Sequence, residues 1–208
     1  MNPIWAVVRR TLVAIRNQLL RRPFGLKTLG KGSSLLHPRH LEGRNFISIG
    51  SRSLTLGHSY IAAITQYGQL RYSPSISIGN DVYIGRHCYL TAMNEISIGD
   101  GCVLSEHVYI TDLFHGTDPR KGLIMQQPIE TKGPVRIGPN CFLGYRATVM
   151  PNVTLGEWCI VGANSVVTSS FPAYSMIAGA PARLIKVYSQ ELHQWVIPSS
   201  SSEGYELQ

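Results

Sequence analysis

A histidine closes one of the two repetitive stretches in this chain of 208 residues. It is His115, in the segment YITDLFHGTDP (109–119), and irregular sequence follows it until VRIGPN begins at residue 135. A neutral imidazole can take a proton from a hydroxyl group at neutral pH and return it later. Because an irregular segment must project from a regular body, we predict that His115 lies in a loop and acts as a base. The alternative is a solvated loop histidine.

Two carboxylates lie close to this histidine along the chain. Asp112 precedes it and Asp118 follows it. Either side chain could orient the imidazole or bind a substrate hydroxyl, and either could instead serve a turn, where aspartate is favoured. Of the two, we predict Asp112 as the substrate-binding residue.

A six-residue repeat surrounds this region. From Ile137 the chain reads IGPNCF, LGYRAT, VMPNVT, LGEWCI, VGANSV and VTSSFP, and upstream the same frame gives IGNDVY, IGRHCY, LTAMNE, IGDGCV, LSEHVY and ITDLFH. An aliphatic residue opens each unit, and a small or apolar residue usually takes the fifth place. This period is typical of a solenoid of short parallel strands, with three units in each triangular coil. It predicts an all-β fold with a loop protruding near residues 115–135.

The cysteines follow the same frame. All four take the fifth place of their units: Cys88, Cys102, Cys141 and Cys159. We therefore expect them inside the coil as small apolar side chains, because no CxxC pair indicates a zinc site. Unpaired buried thiols fit a reducing compartment, so we expect a cytoplasmic protein.

The excess positive charge is confined to the N-terminus. The net charge is +7, but residues 1–32 contain no acidic residue, and the rest of the chain is formally neutral. A neutral body argues against nucleic-acid binding. Apolar residues recur at helical spacing in this arm, at Ile4, Val8, Leu12, Ile15 and Leu19. We predict a basic amphipathic helix that either packs on the body or a neighbouring subunit, or lies on an anionic membrane surface at the inner membrane face.

The repeat, the loop after DLFHG and the ending GANSVVTSSFPAYSMIAGAPARLIK together resemble the hexapeptide-repeat acyltransferases. Within these, they are similar to the sugar O-acetyltransferases related to galactoside and maltose acetyltransferases and to O-antigen and capsule O-acetyltransferases. The resemblance covers about residues 45–187 and implies a left-handed parallel β-helix at 33–187, after the arm at 1–32. A short C-terminal helix and a disordered tail are expected in 188–208.

The resemblance also implies an activity. It is the direct transfer of acetyl from acetyl-CoA to a hydroxyl of a surface glycan or its lipid-linked precursor, with His115 as general base. It further implies a homotrimer whose active sites lie between adjacent subunits, with the loop after His115 helping to build the trimer. Many members have a second histidine where this chain has Leu113, so only His115 matches the catalytic one.

The same resemblance assigns binding residues. The expected cofactor set is Phe142, Gly144, Tyr145, Ala163, Thr168, Arg183 and Lys186. The turn at Gly144 and the N–H of Tyr145 would face the thioester and stabilise the oxyanion. Arg183 and Lys186 would hold the nucleotide phosphates, or would otherwise form a solvated basic cap. Asn94 resembles an acceptor-binding position, although it could instead form hydrogen bonds inside the coil.

Two other functions fit parts of the sequence. His87 and His107 take the fourth place of units one coil apart, so they could stack and bind Zn²⁺ as in γ-class carbonic anhydrases. Arg146 takes the same place one coil later and opposes a cation there, so we expect no metal. A non-catalytic scaffold would account for the repeat and the arm, but not for the histidine loop together with the basic pair.

Overall fold

Short strands recur along residues 25–198, which are the part of the chain that the computed structural model describes. Three strands joined by tight turns make one coil, and each coil returns the chain to the same side. The first three coils contain β1 (Thr28–Leu29), β2 (Ser34–Leu35) and β3 (His40–Glu42); β4 (Ile47–Ile49), β5 (Leu54–Thr55) and β6 (Tyr60–Ala63), followed by the hairpin β7 (Gln66–Tyr67) and β8 (Leu70–Arg71); and β9 (Ser75–Ile78), β10 (Tyr83–Ile84) and β11 (Tyr89–Ala92).

The later coils contain the longer insertion and the end of the solenoid. Their strands are β12 (Glu95–Ile98), β13 (Val103–Leu104) and β14 (Tyr109–Thr111); β15 (Phe114–His115) and β16 (Ile129–Glu130) in the insertion; β17 (Val135–Ile137), β18 (Phe142–Leu143) and β19 (Thr148–Val149); β20 (Thr154–Leu155), β21 (Ile160–Val161) and β22 (Val166–Val167); and β23 (Ser175–Gly179), β24 (Ala182–Ser189) and β25 (Gln194–Val196). Short 3-10 helices lie at Arg44–Phe46, Pro119–Lys121 and Ile124–Gln126.

Three sheets form the sides of the coil, because each strand pairs in parallel with the strand one coil later. Sheet A has six strands (β1-β4-β9-β12-β17-β20), sheet B has nine (β2-β5-β10-β13-β18-β21-β23-β24-β25), and sheet C has six (β3-β6-β11-β14-β19-β22). We name the turns A–B, B–C and C–A corners after the sheets that each one joins. The predicted solenoid of hexapeptide units is confirmed.

The aliphatic residue that opens each unit points into the core. From Ile78 to Val167 every one of these residues is at most 4% exposed: Ile78, Ile84, Leu90, Ile98, Leu104, Ile110, Ile137, Leu143, Val149, Leu155, Val161 and Val167. The four cysteines are free and buried among them, which confirms their predicted inward position. Stacking apolar residues in this way removes their surface from water coil after coil, which is the main stabilising term of the fold.

The corners use two different backbone devices. The fourth place of a unit has a positive φ, and it is often occupied by residues other than glycine, such as His87 at 58° and Arg146 at 57°. The glycine at the second place is needed because the next coil passes very close. A Cβ on Gly99 would lie 2.6 Å from the Pro139 nitrogen, and one on Gly144 would lie 2.7 Å from the Ala163 nitrogen.

The C-terminal end differs from the prediction. The segment expected to form a short helix is instead antiparallel, because β24 reverses and pairs with β23, and β25 pairs with β24. Tyr188 packs against Trp195 with ring centroids 5.5 Å apart. The alternation of side chains in KVYS and the aromatic pair across the strands favour a sheet over the helix that QELHQW suggests.

The N-terminal arm lies mostly outside the described residues. Its predicted helix falls within residues 1–24, which are not described, and β1 at Thr28–Leu29 already pairs with sheet A. Among residues 25–198 there is no helix long and apolar enough to cross a membrane.

Candidate active site

Both insertions in the solenoid occur at the C–A corner. The first, at residues 64–74, contains the hairpin β7–β8, and the second, at residues 112–134, contains β15 and β16. They touch each other across the intervening coil: the Tyr67 hydroxyl donates a hydrogen bond to the Met125 carbonyl at 2.7 Å, and the Tyr72 hydroxyl donates to the Ile129 carbonyl at 3.5 Å. We call residues 112–134 the histidine loop.

The histidine loop has its own internal framework. β15 and β16 pair antiparallel, with His115 opposite Ile129. Gln127 is only 3% exposed, and its side-chain carbonyl accepts the Asp118 N–H at 3.0 Å while its amide donates to the carbonyls of Asp118 at 2.9 Å and Gly122 at 3.1 Å. One buried amide therefore ties the two halves of the loop together, as buried polar groups require partners.

His115 is half-buried at the base of this loop, and its two ring nitrogens differ. Nδ1 is enclosed and has no hydrogen-bond partner among the described residues, whereas Nε2 is not enclosed in this way. The Tyr67 ring meets the imidazole at an interplanar angle of 68°, with centroids 5.5 Å apart. The arrangement leaves Nε2 as the nitrogen that an incoming hydroxyl group can reach.

Asp112 is completely buried beneath this corner, at 0% exposure. Its carboxylate accepts the backbone N–H groups of Met93 at 2.8 Å, Asn94 at 2.8 Å and Glu95 at 2.6 Å. Burial raises the pKa of Asp112, and these three hydrogen bonds only partly oppose that effect. Because its oxygens are occupied inside the protein, Asp112 anchors the loop to the preceding coil and does not face a substrate, contrary to the prediction from sequence.

Asn94 is exposed beside this anchor and does not point inward. Its carbonyl accepts the Ser75 N–H at 2.8 Å, but its side-chain amide has no partner among residues 25–198. That amide is available for a ligand. Asp118 has a turn role instead, since it pairs with Arg120 at 2.9 Å, and this hydrogen-bonded pairing lowers the pKa of Asp118.

Most of the predicted cofactor residues lie elsewhere, at the B–C corner and on sheet B. Gly144, Tyr145 and Ala163 share the B–C corner of successive coils. The exposed Tyr145 ring packs on His107, with centroids 5.5 Å apart, and under the Arg146 guanidinium at 5.3 Å. The Tyr145 N–H has no acceptor among the described residues, which leaves it free for an oxyanion. The backbone N–H groups of Arg86 and Glu106 take the same place in earlier coils and also have no acceptor among the described residues. An unbonded N–H at this place is therefore a regular feature of the turn.

The outer face of sheet B carries an apolar column that ends in a cation. In register along the sheet are Tyr83, Val103, Phe142, Ile160 and Met176, and Lys186 lies opposite Met176. Phe142 is 42% exposed. Arg183 lies opposite Ala178 and donates to the Ala182 carbonyl at 3.0 Å. Thr168 is separate from this group, because it lies at the C–A corner on the other side of sheet C.

Comparison with known families accounts for the repeat. Residues 134–169 match the model described as "Bacterial transferase hexapeptide (six repeats)", and residues 75–112 match the "Hexapeptide repeat of succinyl-transferase". In these two stretches the chain is therefore similar to hexapeptide-repeat transferases.

Curated relatives of this hexapeptide-repeat chain bear acetyltransferase names. A Mycobacterium tuberculosis protein named as an acetyltransferase is 32% identical over 165 residues, covering 78% of this chain and 50% of the relative. The Escherichia coli protein WbbJ, named as a lipopolysaccharide biosynthesis O-acetyltransferase, is 32% identical over 126 residues, covering 58% of this chain and 64% of the relative. The chain thus spans only about half to two-thirds of the length of these relatives.

Solved structures share the fold. AntD, an N-acyltransferase from Bacillus cereus in complex with dTDP and 3-hydroxybutyryl-CoA, has a TM-score of 0.69 at 20% identity, covering 84% of this chain and 90% of AntD. A hexapeptide-repeat acetyltransferase of Vibrio cholerae in complex with acetyl coenzyme A has a TM-score of 0.54 at 23% identity, covering 86% of this chain and 79% of that one. The left-handed β-helix predicted from the resemblance is therefore confirmed.

Three histidine side chains stack one above another at the B–C corner: His58, His87 and His107. The stacking of His87 on His107 was predicted from the repeat. The ring centroids of His58 and His87 are 5.0 Å apart and those of His87 and His107 are 4.8 Å apart. Arg146 takes the next position. Within residues 25–198 no group of three or more His, Cys, Asp or Glu side chains is placed to hold a metal ion.

Two residues near His115 were missed from the sequence. They are Tyr67, which touches the imidazole, and Gln127, which holds the loop together. The repeat breaks at residues 64–74 as it does after His115, and the turn signal YGQ in that break indicates a hairpin. The break could have been recognised, but the contact between two insertions far apart in sequence could not.

Proposed function

We propose that this protein is an acetyl-CoA-dependent O-acetyltransferase that acts on a hydroxyl group of a cell-surface glycan or its lipid-linked precursor. The observation that carries the proposal is the half-buried His115 imidazole, whose Nε2 forms no hydrogen bond with a described residue, on an insertion of a hexapeptide-repeat transferase fold. Relatives named as acetyltransferases, one of them in lipopolysaccharide biosynthesis, support the same reaction class.

The reaction needs no covalent enzyme intermediate. His115 Nε2 takes the proton from the acceptor hydroxyl, and the oxygen attacks the thioester carbonyl carbon to give a tetrahedral oxyanion. The carbon–sulfur bond then breaks, and the imidazolium returns the proton to the thiolate, so the products are the acetyl ester and free CoA. Holding both substrates together lowers the barrier because the reacting atoms meet as if at high local concentration.

The donor would lie along the B–C corner and sheet B. The apolar column through Phe142 suits a pantetheine arm, and the free N–H of Tyr145 suits the oxyanion. Arg183 and Lys186 make no ion pair with a described residue, so both cations are available for phosphates at the end of that column. Ala163 lies next to Gly144 in the following coil and leaves room along the corner.

This assignment places the base and the donor at opposite edges of sheet C within one chain. Crossing the sheet from the B–C to the C–A corner takes about five residues, or roughly 15 Å, which an imidazole cannot span. We therefore propose that His115 of one subunit meets the donor site of the next, in a homotrimer. The histidine loop presents three exposed apolar residues in sequence for such a contact, Leu123, Ile124 and Met125, which are 68%, 55% and 68% exposed.

The acceptor would meet the open side-chain amide of Asn94, whose backbone N–H is bound by Asp112 at the start of the histidine loop. A hydroxyl acceptor is favoured by the relative named as an O-acetyltransferase. An amino sugar is a second candidate, because a neighbouring structure is of an N-acyltransferase in complex with dTDP-4-amino-4,6-dideoxyglucose and coenzyme A. We propose the cytoplasm as the location, since acetyl-CoA and unpaired buried thiols both belong to a reducing compartment.

Release of CoA thiol tests the proposal. Purified protein would be incubated with acetyl-CoA and with bacterial polysaccharides, lipid-linked sugars and nucleotide-linked amino sugars. His115→Ala is the test variant, and His193→Ala is its matched control, because His193 is an exposed histidine in the turn between β24 and β25.

Acceptor-dependent thiol release that survives in His193→Ala and falls in His115→Ala would support the reaction and its base. Release that is stimulated only by amino sugars would replace the hydroxyl acceptor with an amine. If calorimetry detects no binding of acetyl-CoA, the transferase proposal is wrong, and the non-catalytic scaffold becomes the favoured alternative.

A further inference from the structure

We propose that Tyr67 is a positioning residue for His115, and that the hairpin β7–β8 exists to hold the imidazole in one orientation. This inference rests on the proposed function, because an orientation matters only if the ring transfers a proton. Nothing in the repeat assigns a role to this hairpin, which interrupts the solenoid two coils before the histidine loop.

The first support is direct contact between the two rings. Tyr67 and His115 meet edge to face, with centroids 5.5 Å apart and an interplanar angle of 68°. Edge-to-face pairs have a preferred geometry, so the contact restricts rotation of the imidazole. Among residues 25–198 the His115 ring forms no hydrogen bond that could fix it, and its enclosed Nδ1 has no partner there. The Tyr67 ring therefore supplies an orienting contact that a hydrogen bond to Nδ1 supplies in many other sites.

The second support is that Tyr67 is itself held at both ends. Its hydroxyl donates to the Met125 carbonyl at 2.7 Å, on the far arm of the histidine loop. Its backbone lies in the hairpin, where Tyr67 pairs with Leu70 around a turn with Gly68 at φ 57°. The Gln66 side chain also donates to the Gly68 carbonyl at 3.0 Å. The ring is thus clamped between the hairpin and the loop.

Three substitutions separate these effects. Tyr67→Leu removes the ring contact and the hydrogen bond, whereas Tyr67→Phe removes only the hydrogen bond. Tyr72→Phe is the matched control, since Tyr72 lies on the same insertion and contacts the loop at Ile129 but does not touch the imidazole. Thermal unfolding of each variant would verify that it folds.

We expect Tyr67→Leu to lower kcat roughly 10- to 100-fold with little change in KM for acetyl-CoA, because the base is misplaced while the donor site is untouched. Tyr67→Phe should lose at most about tenfold, the effect of one hydrogen bond. Tyr72→Phe should keep the wild-type kcat. An unchanged kcat in Tyr67→Leu, in an enzyme that His115→Ala inactivates, would overturn the inference and leave the function intact.

A second readout does not depend on activity. With ¹³C-labelled histidine, the Cε1–H signal of His115 can be assigned by its loss in His115→Gln, and it should move in Tyr67→Leu because the ring current of Tyr67 disappears. A lower kcat with an unmoved signal would show a merely structural role and overturn the inference. If the signal moves but the wild-type protein does not bind acetyl-CoA, the transferase proposal fails, and the positioning role of Tyr67 fails with it.

Discussion

The B–C and C–A corners lie on either side of sheet C, yet they are built in opposite ways. From the second coil onward, the B–C corner repeats the same four-residue turn, and its fourth-place residues all have a positive φ: His58, His87, His107, Arg146 and Asn164. The C–A corner varies from two residues at 93–94 to the whole histidine loop at 112–134. The proposed donor site is on the regular corner and the proposed base is on the irregular one.

The difference shows how a repetitive fold acquires a specific site. A regular corner offers the same free N–H at each coil, which suits a long cofactor lying along the axis. A catalytic base must instead be single, so it needs a departure from the repeat. The histidine loop supplies that departure, and Asp112 anchors it by accepting three backbone N–H groups at the C–A corner one turn of the solenoid earlier, at residues 93–95.

The largest effect is expected when we test whether the C–A corner of one subunit and the B–C corner of another form one active site. His115→Ala removes the base and Ala163→Trp blocks the B–C corner, and each should lower kcat by about a thousandfold. Mixed trimers refolded from the two variants should regain activity at about a quarter of their sites, those that combine two intact corners. Thiol release measures this recovery. A mixture as inactive as its components would place the whole site within one chain.

Thiol labelling compares the rigidity of the corners. Burial at the B–C corner raises the pKa of Cys88 to about 11, so almost none of it is the reactive thiolate at pH 8. Leu123→Cys places an exposed thiol in the histidine loop. We expect the loop thiol to react at least about a hundredfold faster with iodoacetamide, as followed by mass spectrometry of the peptides. Similar rates would mean that the B–C corner opens as readily as the loop.

Substitution of its two aspartates tests how the histidine loop is anchored. Asp112→Ala removes a buried carboxylate and leaves three part-buried N–H groups without their acceptor, which should cost about 2–4 kcal/mol of unfolding free energy. Asp118→Ala removes an exposed ion pair with Arg120 and should have a much smaller effect. Urea unfolding measures both. Equal losses would show that the loop does not depend on its contact with the preceding coil.

The smallest effect on catalysis is expected from deleting part of the N-terminal arm. Deleting residues 1–22 should release the protein from anionic vesicles, because the positive charge is concentrated there. Acetylation of a soluble acceptor should be unchanged, since both corners remain. Vesicle co-sedimentation and thiol release measure the two outcomes. Vesicle binding that survives the deletion would contradict the membrane role of the arm.

The repeat predicted the core well because burial depends on a period. The aliphatic residues and the cysteines follow the six-residue frame, and the frame alone places them inside. Asn94 did not follow it, since its unit ends at a corner where the chain exposes the fifth place. The role of Asp112 depends on N–H groups at residues 93–95, about 18 residues earlier in the chain, and the contact between Tyr67 and His115 joins two insertions. Such contacts are set by packing, which a single sequence does not display.

The antiparallel reversal at the end of sheet B affects whether further copies of the protein can add to that edge. A parallel stack with a six-residue period presents an open edge onto which a further copy could add, as in a fibril. Here β24 runs antiparallel to β23 and β25 is only three residues long, so the last parallel edge is covered and the new one is short. The hairpin that replaces the expected helix thus closes the edge of sheet B against a further copy.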